Sequence, residues 1–247
     1  MKKIILSSVC ASLLAISAQA DFLGAEAGIA TWSSSLTGTM KGGSSTDSNI
    51  DVENDLGYGS KATNSFFWAY LDHPIPLLPN IKIQQTNYTD SASEVKSITF
   101  DGTTYNGTVS SELTLDQTDI IAYWRILDNW VNLDLGINLK TINGNIKLSA
   151  TGSSDTDKDF SATVPMLYAK GRFDLPFTGL SAEADMSYIS YSGNKFTDFK
   201  AGVVYQTSYG LGATAGVRTE NLTIDDIDDF NADLTISGAY LGVFYHF

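Results

Sequence analysis

From Trp130 to Lys140 the chain alternates without a lapse. Val131, Leu133, Leu135, Ile137 and Leu139 fall on one side of an extended backbone, and Asn132, Asp134, Gly136, Asn138 and Lys140 on the other, because successive strand side chains point to opposite faces. A soluble strand runs about five or six residues, whereas one that crosses a bilayer at a tilt needs about nine to eleven. This strand has membrane length. Its aliphatic side suits lipid and its charged side a lumen, which is the division of a transmembrane barrel strand. With the run from Leu113 to Leu127 and the Asp128-Asn129 break before it, it forms the second arm of a hairpin.

The start of the chain supplies an address. Lys2 and Lys3 precede an apolar segment from Ile4 to Ile16, and Ala18-Gln19-Ala20 has the small-x-small form of a signal-peptidase site. This predicts a cleaved signal peptide over residues 1–20 and one barrel domain over 21–247. The apolar run is shorter than the roughly 20 residues of a spanning helix. Cys10, the sole cysteine, lies inside that segment, so the exported chain offers no thiol for a disulfide, a metal or nucleophilic catalysis. The formal net charge is -13 and grows more negative once Lys2 and Lys3 leave, which argues against nucleic acid as a partner.

The same alternation recurs elsewhere. Leu23, Ala25, Ala27 and Ile29 oppose Gly24, Glu26, Gly28 and Ala30 in a first strand over 22–32. Ser33 to Ala62 is rich in Gly, Ser, Asn and Asp without a period and reads as a long outer loop. A second strand over 63–72 ends at His73-Pro74-Ile75-Pro76-Leu77-Leu78-Pro79, whose prolines mark a turn. Ile81 to Thr89 returns with Lys82 and Gln84 on one face, and Ser97 to Gly107 reads as a hairpin about Asp101-Gly102 that projects beyond the membrane. Asn143 to Asp159 reads as another outer loop. Further strands are expected over 162–173, 180–188, 199–206, 211–222 and 234–247, with a last acidic loop holding Asp225, Asp226, Asp228 and Asp229. The sum is an all-β, antiparallel, up-and-down transmembrane barrel of about ten strands, within a range of about eight to twelve.

The segments LDQTDIIAYWRILDNWVNLDLGINLKTINGNIKL, HPIPLLPNIKI, LYAKGRFDLPFTGLSAEADMSYISY and GAYLGVFYHF together resemble small outer-membrane β-barrel proteins of Gram-negative bacteria, related in architecture to OmpA- and OmpW-type barrels. The resemblance implies location in the bacterial outer membrane and contact with its lipid and lipopolysaccharide, and supplies no activity, ligand or catalytic residue. The terminal Phe247, with Tyr245, Val243 and Leu241 on its face, resembles the β-signal read by the outer-membrane assembly machinery. Nothing in the chain calls for a cofactor, and a monomer is expected.

Inward positions collect charges of both signs: Glu26, Lys82, Arg125, Asp134, Lys140, Lys170, Arg172, Glu183, Asp185, Lys200, Arg218 and Glu220. In a narrow barrel these most simply pair as a filling, since unpaired buried charge is costly. The alternative is a narrow channel for small solutes, with Lys170 and Arg172 facing Glu183 and Asp185 as its constriction. An enzyme is a minor alternative. Outer-membrane proteases and phospholipases need a histidine placed as general base, and His73 and His246 fall at the periplasmic ends. Asp155, Asp157 and Asp159 have the spacing of a weak hard-cation site but lack the Gly and distal Glu of an EF-hand, so a solvated loop is the simpler reading.

Overall fold

The computed structural model describes residues 24–75, 77–227 and 230–247. The signal reading for residues 1–20, Cys10, Phe22, Leu23, Asp228 and Asp229 lie outside the described residues. The strands are β1 (Gly24–Lys41), β2 (Ile50–Asp51), β3 (Ala62–Asp72), β4 (Asn80–Phe100), β5 (Thr103–Asp128), β6 (Val131–Ala150), β7 (Thr156–Asp174), β8 (Leu180–Tyr191), β9 (Asn194–Gln206), β10 (Leu211–Ile227) and β11 (Phe230–His246). Apart from the two-residue β2, each pairs antiparallel with the next. β11 then returns to β1 from Glu26↔His246 to Lys41↔Asn231, which closes a ten-stranded barrel.

The faces follow the alternation. Leu135, Ile137 and Leu139 are exposed on the outer wall, while Asp134, Asn138 and Lys140 are buried inside. The β3–β4, β5–β6, β7–β8 and β9–β10 turns share one end with the chain terminus, where the Phe247 N–H donates to the Ala25 carbonyl (2.8 Å). At the other end Asp101-Gly102 and Ser192-Gly193 turn two hairpins with positive φ at both residues, the backbone that matches strand twist.

Two expected loops are strand in part, the second of them for most of its length. β1 continues to Lys41, β6 to Ala150, and β7 begins at Thr156. These stretches have no apolar period in sequence, yet their backbones pair and polar side chains bond across strands, as from Ser161 to Asn143 (2.9 Å) and from Asn145 to Asp157 (2.7 Å). Lateral pairing is uneven. β3 meets β4 only from Ser65↔Asn87 to Leu71↔Ile81, and β7 meets β8 only from Leu167↔Tyr188 to Asp174↔Ser181. The second ladder stops two residues short of Pro165, which has no N–H to donate.

The remaining part of the expected first loop is a cap. Ile50, Val52, Leu56 and Tyr58 are buried with Leu36, Met40, Ile98, Phe100, Tyr105 and Val109 in one apolar cluster filling the outer half of the barrel. Its strap is Asp47, whose carboxylate accepts the N–H groups of Ser44 (3.1 Å), Asp101 (3.0 Å) and Gly102 (2.9 Å). Ser48 adds a backbone bond to the Thr99 carbonyl (2.9 Å). Burial, with the Asp90 and Glu112 charges adding to it, pushes the Tyr58 phenol up to about 12.

Candidate functional site: the charged lumen

Inward residues form three levels between the short turns and the apolar cap. Nearest the turns, Arg125 on β5 donates to Asp134 on β6 (Nε to Oδ1, 3.1 Å) and to Asp72 at the end of β3 (2.8 Å). Asp72 also accepts the Tyr123 hydroxyl. Lys170 pairs with Glu183 across β7 and β8 (2.9 Å), and Arg172 with Asp174 on its own strand (2.8 Å). Glu26 accepts from Trp68 (2.8 Å) and Tyr70 (3.0 Å). Arg125, Asp134, Asp72, Lys170 and Arg172 line a cavity of about 220 Å³ whose wall also includes Lys82, Tyr168 and His246.

At the second level Asp185 lies between two ammonium groups, Lys82 (3.4 Å) and Lys200 (3.3 Å), and Lys200 also donates to Gln84 (2.5 Å). The third level is fully enclosed. Lys140 and Arg218 are both 0% exposed. Lys140 donates to Gln117 (2.8 Å), Asp119 (3.1 Å) and Asp198 (3.0 Å). Arg218 holds Asp198 with Nε (3.0 Å) and Nη2 (2.8 Å), reaches Glu220 (2.7 Å) and Thr86 (2.9 Å), and lies over the rings of Trp32 (4.9 Å) and Phe66 (5.0 Å). Those rings belong to the apolar cluster above, so the ion layer and the cap are one continuous packing.

The two inner levels balance: Lys82, Lys140, Lys200 and Arg218 against Asp119, Asp185, Asp198 and Glu220. Each ion has an opposite charge in reach, and amide and hydroxyl groups take further bonds. Buried charge persists on such terms only.

All the inward charges named from the sequence do line the lumen, but not as one ring. Arg172 turns to Asp174 rather than to Glu183 or Asp185, and Asp185 belongs to Lys82 and Lys200, a level away from the Lys170–Glu183 pair. The strand register would put Lys170 opposite Asp185 and Arg172 opposite Glu183; long side chains reach one step toward the turns instead. Asp119 and Asp198 were missed. Asp119 is opposite Lys140 in the β5–β6 ladder, and Asp198 opposite Glu220 in the β9–β10 ladder. Extending the outward series Ile120, Ala122, Trp124 puts Asp119 inside; Asp198 falls one residue before the expected start of its strand.

His73 sits in the β3–β4 turn with Nε2 3.1 Å from the Pro79 carbonyl, and His246 lies 3.4 Å from the Tyr70 hydroxyl and 3.7 Å from Glu26. Asp157 and Asp159 are on β7, both accepting from the Asn145 amide (2.7 and 2.8 Å), while Asp155 precedes the strand. Among the described residues no three His, Cys, Asp or Glu side chains are grouped to hold a metal ion. Leu241, Val243 and Tyr245 are exposed on the outer wall at the closing seam, and the Tyr245 ring meets Phe247 edge-on at 4.8 Å.

Neither protein-family models nor curated protein sequences give a match to this chain. Solved structures do. The barrel is similar to the outer membrane protease OmpT from Escherichia coli, with a TM-score of 0.55 at 11% identity over 93% of this chain and 98% of that one. It is also similar to the translocator domain of the autotransporter NalP from Neisseria meningitidis (TM-score 0.46, 12% identity, 100% of this chain and 97% of that one). A further similar structure is Ail, the attachment invasion locus protein of Yersinia pestis (TM-score 0.39, 9% identity, 90% and 99%). The OmpT likeness establishes the fold of an outer-membrane β-barrel.

Proposed function

We propose that the protein is an exported, monomeric outer-membrane barrel that serves as a structural or surface-interaction scaffold, its lumen closed by its own side chains. The observation that carries this reading is the enclosed ion layer. Lys140 and Arg218 have no exposed surface, are held by carboxylates from β5, β9 and β10, and lie directly beneath the apolar cap. A pore would need hydrated space at that level. The aliphatic outer wall supports a lipid environment, the outer strand extensions a surface in reach of lipopolysaccharide, and the aromatic C-terminal strand insertion by the assembly machinery. No catalytic role is assigned to any residue. Kinship with OmpA- and OmpW-type barrels is proposed at the level of architecture.

The test is single-channel recording of the refolded protein in a planar bilayer, with insertion verified by heat-modifiable gel mobility. A silent bilayer is expected. Steady openings in the parent that change in Lys170→Ala/Arg172→Ala would overturn the scaffold reading in favour of the narrow channel.

A further inference from the structure

The apolar outer wall is not equally tall around the barrel. On β6 the outward side chains stay apolar from Leu133 to Leu139. On β3 they do so only from Phe67 to Leu71, with Ser65 above, and on β4 only across Ile81 and Ile83, with Gln85 above. At ~3.4 Å per residue and a tilt of about 40°, the β3 stretch covers about 10 Å along the barrel axis, against an apolar band of about 25 Å in a transmembrane barrel.

The turns at this end are themselves apolar, and one of them, β3–β4, lies directly under the shortfall. The β3–β4 turn presents Leu77 at 92% exposure, with Ile75 and Leu78 beside it; the β7–β8 turn presents Phe177 at 108%. Trp130 stands exposed between them in the β5–β6 turn. Leu77 and Phe177 hold φ of 73° and 66°, a left-handed backbone that Gly or Asn adopts with less strain. Large apolar side chains stand at both corners despite that strain, touching little of their own chain. None of the three turns contains a Lys or Arg. The β9–β10 turn, Thr207 to Gly210, offers only Tyr209.

We propose that the β3–β4, β5–β6 and β7–β8 turns are seated in the lipid of the periplasmic leaflet, where Leu77 extends the apolar band that β3 and β4 leave short and Phe177 lengthens the band below β7 and β8. The inference rests on the membrane-spanning reading above. Lipid is the fitting occupant because the apolar corners continue the outer wall without a polar break. Trp124 on that wall donates its indole N–H to the Leu77 carbonyl (3.2 Å), joining turn to band. A protein docked beneath the barrel would instead leave the corners in water until it bound.

The test uses the full chain with Cys10→Ser, in which a single introduced cysteine is the only thiol. Leu77→Cys, Phe177→Cys and a band reference, Leu135→Cys, are labelled with an environment-sensitive nitrobenzoxadiazole dye. The proteins are refolded into phosphatidylethanolamine/phosphatidylglycerol vesicles containing doxyl-labelled lipid, with iodide available on both sides. Blue-shifted emission and doxyl quenching at positions 77 and 177 comparable to the reference are expected. Doxyl quenching at 135 with iodide quenching alone at 77 and 177 would overturn the inference, leaving the band in lipid and the turns free for a protein. No doxyl quenching at 135 would overturn the membrane-spanning reading, and the inference with it.

Discussion

Arg218→Met removes one of four cations from the two balanced, enclosed inner levels. The loss leaves Asp198 with Lys140 alone (3.0 Å) and Glu220 with the Gln117 amide (2.8 Å) and a distant Lys140 (3.9 Å). Breaking a buried ion pair from one side costs about 3–5 kcal/mol, and the stacking on Trp32 and Phe66 is lost as well. Asp198→Asn removes the opposite charge at similar cost. The double variant restores neutrality, with Lys82, Lys140 and Lys200 facing Asp119, Asp185 and Glu220. It should cost far less than the two singles together, a coupling of about 3 kcal/mol in the double-mutant cycle. The assay is urea equilibrium folding into lipid vesicles, followed by tryptophan emission and gel mobility. If Arg218→Met lies within about 1 kcal/mol of the parent, or the two costs simply add, the lumen is hydrated and the closed-filling argument fails.

Three further outcomes follow from named contacts. A Cβ at Gly212 would lie 2.1 Å from the Phe244 ring, so Gly212→Ala should destabilise by about 1–3 kcal/mol, and Gly212→Ala/Phe244→Leu should recover part of that in the same urea assay. Asp47→Ala removes the acceptor of three backbone N–H bonds and should expose residues 42–61 to protease while leaving the barrel's heat-modifiable mobility intact. Tyr58, raised from 10 to about 12 by burial, favours folding while its phenol is neutral. That contribution is whole below pH ~10 and falls by at most ~2–3 kcal/mol as pH rises to 12, so alkaline protease sensitivity of the cap should climb over that window and flatten in Tyr58→Phe.

The sequence was most legible where the two faces of a strand met opposite demands. In β6 and β8 an exposed aliphatic face on one side and packed ions on the other leave a period of two, and about ten strands and their facing could be read from it. Toward the capped end that contrast fades. Ser33 to Lys41, Asn143 to Ala150 and Thr156 to Asp159 are strands held by backbone pairing, yet their Ser, Thr and Asn content is equally that of a loop; the Asp101-Gly102 hairpin was legible there only through its turn residues. The cap was hidden for another reason: Ile50, Val52, Leu56 and Tyr58 follow no period, and only the fold brings them onto Leu36 and Val109. Charges were placed on the correct face but not with their partners. Which carboxylate a lysine reaches depends on stagger between strands and on side-chain length, as Arg172 shows by choosing Asp174 over the two acids ahead of it on β8.

The uneven ladders have a mechanical meaning. The joint that closes the cylinder, β1 against β11, runs from Glu26↔His246 to Lys41↔Asn231, whereas β7 grips β8 only from Leu167 to Asp174 and β3 grips β4 only from Ser65 to Leu71. Under sideways load the wall therefore tears at the two short ladders before the terminal strands separate. The staves on either side come away as two intact slabs, β4 to β7 and β8 through β11 and β1 to β3, and the joint made last in the chain is among the last to fail.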